Sequence, residues 1–120
     1  MKNVELEEAK TVLMKEASAI QEASNNLLPE ALQSALDILY KENGKIIISG
    51  IGKSGYVGQK MAAMMCSTGS PAAFLHPAEA VHGDLGIHQK GDPVIFLSNS
   101  GATPELIYLE PVLRSRGAKI

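Results

Sequence analysis

The sequence predicts an α/β fold: a three-layer, doubly wound parallel sheet with helices on both faces. Three observations carry this prediction. Short apolar runs centred near residues 47, 73, 95 and 119 are separated by helix-length intervals, which is the repeated βαβ pattern of parallel strands. The first run, Ile46-Ile47-Ile48, breaks into Ser49-Gly50-Ile51-Gly52-Lys53-Ser54-Gly55, after which Val57, Met61, Met64 and Met65 recur at helical spacing. That order reads as strand, tight glycine turn and amphipathic helix. The first three runs all end in polar residues, and open α/β sheets bind ligands beyond the carboxyl ends of their strands.

Composition sets the bounds. With 120 residues, 45% hydrophobic, 20% charged and a net charge of −2, the chain suits one globular domain and is too short for two. The balanced charge gives no electrostatic footprint for nucleic acid. The longest apolar run, residues 61–66, is far too short to cross a bilayer. No signal-peptide pattern opens the chain, since Met1-Lys2 leads into Glu5, Glu7 and Glu8. The one cysteine, Cys66, excludes an internal disulfide and suits a reducing compartment. On an apolar helix it is expected as a buried structural thiol. A cytoplasmic location follows as the expectation.

Taken in order, residues 4–25 lack proline and glycine and place Leu6, Ala9, Leu13, Ala17, Ile20 and Leu27 on one side, predicting a long amphipathic helix. Its stripe is expected to pack on the core, with a second subunit as the sharper alternative. Pro29 opens a second helix whose stripe is Leu32, Ala35, Leu36 and Leu39, and Asn43-Gly44 stops it. Residues 1–43 are thus read as N-terminal helices and residues 44–120 as the α/β core. Strands are predicted at 45–49, 72–75 and 93–97, with a helix from about 56 to 67. The polar segment 76–86 has room for about two helical turns. A further helix runs from Pro104 to about Arg116, with Leu106, Leu109 and Leu113 inward, and residues 117–120 begin a fourth strand. An open sheet ending there would leave an apolar edge, so the sequence reads as the front part of a longer domain.

Candidate chemistry gathers at the strand ends. Gly50, Gly52 and Gly55 satisfy G-x-G-x-x-G, but the acidic residue a dinucleotide site needs at the tip of the next strand is missing, Glu79 coming late. A Walker A loop fails because Ile47 stands where its first glycine belongs. The strongest phosphate cradle is the third strand end. There Ser98, Ser100 and Thr103 offer hydroxyls around Gly101, and Thr103 is placed to cap a helix opened by Pro104. The plain alternative is an ordinary polar turn. Glu105, in the first turn of that helix, is either a carboxylate favoured by the helix dipole or, beside an anchored sugar phosphate, a base. Lys53 is either a solvated lysine or the cation that stabilises developing oxyanion charge. His76, His82 and His88 do not have the i, i+4 spacing of a helical zinc pair. His88 is expected on the surface.

The segments GIGKSG, STGSP, HPAEAVHGDLG and SNSGATPEL resemble the sugar isomerase (SIS) domain of the bacterial D-arabinose-5-phosphate isomerases, over nearly the whole chain. The resemblance implies a flavodoxin-like or Rossmann-like SIS fold and an aldose–ketose isomerase. Its reaction would interconvert D-ribulose 5-phosphate and D-arabinose 5-phosphate, feeding Kdo synthesis for lipopolysaccharide or capsule. It implies active-site roles for Lys53 and Glu105, and substrate contacts by Ser54, Gly69, Ser70 and His82. It also implies phosphate contacts by Ser98, Ser100 and Thr103, with His76 touching substrate and able to take an inhibitory zinc ion. No cofactor is implied. The partners implied are a small sugar phosphate and further copies of the chain in a dimer or tetramer, with neither nucleic acid nor membrane. A second glutamate, a catalytic histidine and tandem CBS modules would follow Ile120. The competing functions are a non-catalytic sugar-phosphate sensor on the same fold and, on the glycine spacing alone, a nucleotide-binding domain.

Overall fold

The computed structural model describes residues 3–41 and 44–120, and the chain divides into two compact units, residues 1–36 and 37–120. In the first unit, α1 (Asn3–Asn25) is one uninterrupted helix with Glu5 in its first turn, where a carboxylate complements the dipole. None of its residues is buried. The stripe expected to enter a core therefore stays exposed, Leu13 and Ile20 included. Helix α2 (Pro29–Lys41) opens on the proline as its pattern requires. Its Leu36 and Leu39 are half-buried, whereas Leu32 and Ala35 are exposed. Of the stop assigned to this helix, Asn43 lies outside the described residues.

The second unit is a three-stranded parallel sheet in the order β2-β1-β3, built from β1 (Ile46–Gly50), β2 (Ala72–Phe74) and β3 (Val94–Leu97). Alternation along the central strand divides its isoleucines between the two faces. Ile47 joins Leu75, Ala80, Val94, Leu109 and Leu113 in the core cluster, which packs beneath α5 (Pro104–Ser115). Ile48 turns to the other face, against α3 (Gly52–Ser67), where its Cγ2 lies 3.1 Å from the place a Cβ on Gly58 would occupy. The sheet is thus covered on both sides and wound in both directions from β1, as predicted.

Several local expectations are corrected by packing. The glycine segment is not an open loop. Ile51 is the N-cap and the helix starts at Gly52, whose φ of +61° makes the strand-to-helix turn in one residue. The buried residues of α3 are Gly55, Gly58 and Ala62; of the predicted stripe, Met61 and Met65 are half-buried, whereas Val57 and Met64 are each 56% exposed. Small residues let the helix axis approach the sheet closely, and the larger side chains lie at the flanks of the contact or outside it. Cys66, on that outer side, is exposed rather than buried, its thiol donating to the Ala72 carbonyl at 3.2 Å.

The segment after β2 forms α4 (Pro77–Ala80) and a 3-10 turn (Asp84–Ile87). His88 then turns inward and is completely buried, against the expectation of a surface histidine. Its Nε2–H donates to the Asp92 carbonyl at 3.0 Å, because a carbonyl can only accept. Its own carbonyl accepts from the Arg116 guanidinium at 2.7 Å. Asp92, also buried, pairs with Lys45 and accepts the Gln89 N–H at 2.9 Å. Burial pushes the Asp92 carboxyl up, but the Lys45 ammonium and the backbone N–H groups outweigh it and hold the group below the usual carboxylate value. Residues 117–120 have no strand geometry. They run beside β3, with the Val94 N–H donating to the Lys119 carbonyl at 2.9 Å.

Candidate functional site

Strand order decides where a ligand can sit. Because β1 lies between β2 and β3, successive connections leave it in opposite directions, and the crevice opens at the carboxyl ends of β1 and β3. Gly50 pairs with Leu97 there. The turn carrying Lys53 and the turn beginning at Ser98 therefore leave the sheet side by side. Lys53 is exposed and Ser54 half-buried in the first turn of α3. Ser49, also polar and at the same end, is spent on structure: it is fully buried and its Oγ donates to the Leu75 carbonyl at 2.6 Å.

The 98–103 turn is held shut by its own hydroxyls. Ser98 Oγ accepts the Gly101 N–H at 3.0 Å, Ser100 Oγ accepts the Ala102 N–H at 3.1 Å, and Gly101 takes φ +69°. Thr103 is the N-cap of α5 but makes no side-chain cap bond; instead its Oγ1 meets Ser98 Oγ at 2.7 Å. One hydroxyl hydrogen suffices for that pair, so a second remains, as does that of Ser100. In this state the turn offers an anion hydroxyl donors and the positive end of α5, while the amides of residues 101 and 102 are engaged within the turn. Ser98, Gly101 and Thr103 line a pocket of about 230 Å³ with Phe96, Leu106, Ile107 and Glu110.

A second cleft, about 440 Å³, lies between α4 and the first turns of α5. His82 and Glu105 share it with Pro77, Ala78, Val81, Pro104 and Tyr108. Tyr108 is the residue that sequence reasoning passed over. Its position three after Glu105, which puts the two on one helical face, was the available signal. His76 caps α4, its Nδ1 accepting the Ala78 N–H at 3.2 Å. Its ring stands edge-on to Phe74 with centroids 6.4 Å apart. Among the described residues no three His, Cys, Asp or Glu side chains are grouped to hold a metal.

Gly69 and Ser70 do not join this grouping within one chain. They precede β2, whose first residue Ala72 pairs with Ile46, at the amino ends of the strands. The 16 residues of α3 separate them from Lys53 by about 24 Å at 1.5 Å per residue.

A sheet so ordered, entered by a glycine-rich helix start and closed by a serine-rich turn, has counterparts among known proteins. The chain belongs to the SIS domain family, whose model matches residues 38–120. Among its relatives, an Escherichia coli protein named arabinose 5-phosphate isomerase KpsF is 44% identical over 108 residues, 90% of this chain and 33% of the relative. Arabinose 5-phosphate isomerase GutQ of Escherichia coli K12 is 48% identical over 101 residues, 81% of this chain and 31% of that protein. A solved Escherichia coli CFT073 protein in complex with arabinose 5-phosphate superposes with a TM-score of 0.86 at 38% identity, covering 98% of this chain and 63% of the other. The chain thus spans about a third of the length of these curated relatives.

Proposed function

We propose that this chain is the phosphosugar-binding part of an aldose–ketose isomerase that interconverts D-ribulose 5-phosphate and D-arabinose 5-phosphate. The observation that carries the reading is the hydroxyl-rich 98–103 turn at the β1/β3 crevice, in a chain whose relatives carry the arabinose 5-phosphate isomerase name. The phosphate is held by Ser98, Ser100 and Thr103 at the positive end of α5. From the open-chain ketose, Glu105 takes a proton from C1 and, after exchange with solvent, delivers one to C2, the O1 hydroxyl proton passes to O2, and Lys53 stabilises the enediolate oxygen between the two carbon transfers. No net oxidation occurs and no organic cofactor is required. Ser54 and His82 contact the sugar. Gly69 and Ser70, at the far end of β2, reach substrate from a neighbouring copy in a homo-oligomer. The full-length protein is cytoplasmic, and its five-carbon product feeds synthesis of the eight-carbon sugar acid Kdo for lipopolysaccharide or capsule.

The test is carried out on the full-length gene product with D-ribulose 5-phosphate in deuterated buffer. Deuterium is expected at a carbon-bound position, together with D-arabinose 5-phosphate, and Glu105→Gln is expected to slow both by about 10²-fold or more. Binding without exchange, unchanged in Glu105→Gln, would instead make the protein a sugar-phosphate sensor.

A further inference from the structure

The cleft between α4 and α5 is lined by an aromatic residue, Tyr108. Tyr108 is 65% exposed, so its ring is not needed to fill the core, yet it lines the same cleft as His82 and Glu105. The remaining lining is apolar or small: Pro77, Ala78, Val81 and Pro104. About 440 Å³ falls within the range of small-molecule sites, which combine apolar walls with a few convergent polar groups. The geometry also separates two tasks. Ser98 and Thr103 line a separate pocket, and Tyr108 is absent from its lining.

We propose that Tyr108 is a positioning residue for the carbon chain of the bound sugar phosphate, its ring forming the wall against which the C–H face packs while Glu105 and His82 meet the oxygens. This rests on the isomerase reading for the identity of the ligand. An aromatic face offers a sugar's C–H groups contact area at the cost of only two side-chain torsions. A phosphate, held by hydroxyls elsewhere, gains nothing from it. Tyr108 should therefore discriminate between a phosphate that carries a carbon chain and one that does not.

Calorimetric titration of the full-length protein with D-arabinose 5-phosphate and, separately, with inorganic phosphate tests this. Tyr108→Ala is expected to weaken D-arabinose 5-phosphate binding about tenfold, which is about 1.4 kcal/mol, and to leave the inorganic phosphate Kd within twofold. Tyr108→Phe, which keeps the ring, is expected to restore the wild-type value. The proposal is overturned if Tyr108→Ala binds the sugar phosphate as wild type does, if both ligands weaken equally, or if the Phe variant behaves as Ala does. A wild-type protein that binds D-arabinose 5-phosphate but exchanges no deuterium would overturn the isomerase reading alone and leave the Tyr108 result interpretable.

Discussion

Gly55→Ala isolates the contact on which the position of Lys53 depends. A Cβ built on Gly55 stands 2.8 Å from the Gly50 carbonyl oxygen, whereas ordinary contact begins at 3.4 Å. Helix and strand must therefore separate by about 0.6 Å, and the atom in the way is backbone, which cannot swing aside. Overpacking costs about 1–3 kcal/mol, and an unyielding backbone obstacle puts this contact in the upper part of that range, about 2–3 kcal/mol. Replacing a helical glycine with alanine returns about 1 kcal/mol. The net expectation is a loss of about 1–2 kcal/mol, or a fall in Tm of roughly 4–15 °C for a unit of this size. Because Lys53 lies in the same helical turn, the displacement also moves its ammonium. Urea unfolding followed by circular dichroism measures the cost, with Gly86→Ala as the control: nothing lies within 4 Å of its Cβ, and that variant is expected within about 0.5 kcal/mol of wild type. A Gly55→Ala protein as stable as wild type would refute the close-packing argument, and α3 would then be free to sit further from the sheet.

Further expectations follow from the other buried groups. Asp92→Asn is expected to cost about 2–3 kcal/mol at neutral pH, since it removes the charge facing Lys45. The Asp92 carboxyl is held below its ordinary value, so its contribution is complete above that value, about 3.9, and is lost as the pH falls through the folded-state value. Acid unfolding should be correspondingly less steep in the Asn variant, and identical acid limbs would contradict the assignment. The Ser98–Thr103 contact predicts a coupling of about 1 kcal/mol in a double-mutant cycle of Ser98→Ala with Thr103→Val, read by thermal unfolding; simple additivity would mean the two hydroxyls act independently. His88→Ala is expected to cost about 2–4 kcal/mol through the cavity it leaves. A change near zero, as at a surface position, would place the ring outside the core.

The strands were legible because each carries its own local signal. β-Branched runs at Ile46-Ile47-Ile48 and Val94-Ile95, set apart by helix-length intervals, leave a parallel sheet as the economical solution. Pro29 and Pro104 likewise announce helix starts, and both helices begin there. Long-range contacts were not legible in this way. Apolar periodicity marked Val57 and Met64 as the inner side of α3, but a glycine face that can approach Ile48 and Phe74 buries more backbone against the sheet and wins. His88 looked like solvent because its sequence neighbours Gln89 and Lys90 are polar; in the fold it is buried, one ring nitrogen meeting the Asp92 carbonyl across a turn and Nδ1 left without a partner.

The same division runs through the candidate site. Sequence alone determined the inventory: a glycine-rich strand end carrying Lys53, a hydroxyl-rich one at residues 98–103, and Glu105 just beyond it. These rest on residue type and short spacing, which the linear order contains. Only the tertiary structure decided their partition. Strand order sets the Lys53 and Ser98 turns side by side, the approach of α4 to α5 adds Tyr108 to His82 and Glu105, and parallel register carries Gly69 and Ser70 to the opposite end of the sheet. Such placements depend on which distant segments pair, and that follows from burying one shared core rather than from any single stretch of chain.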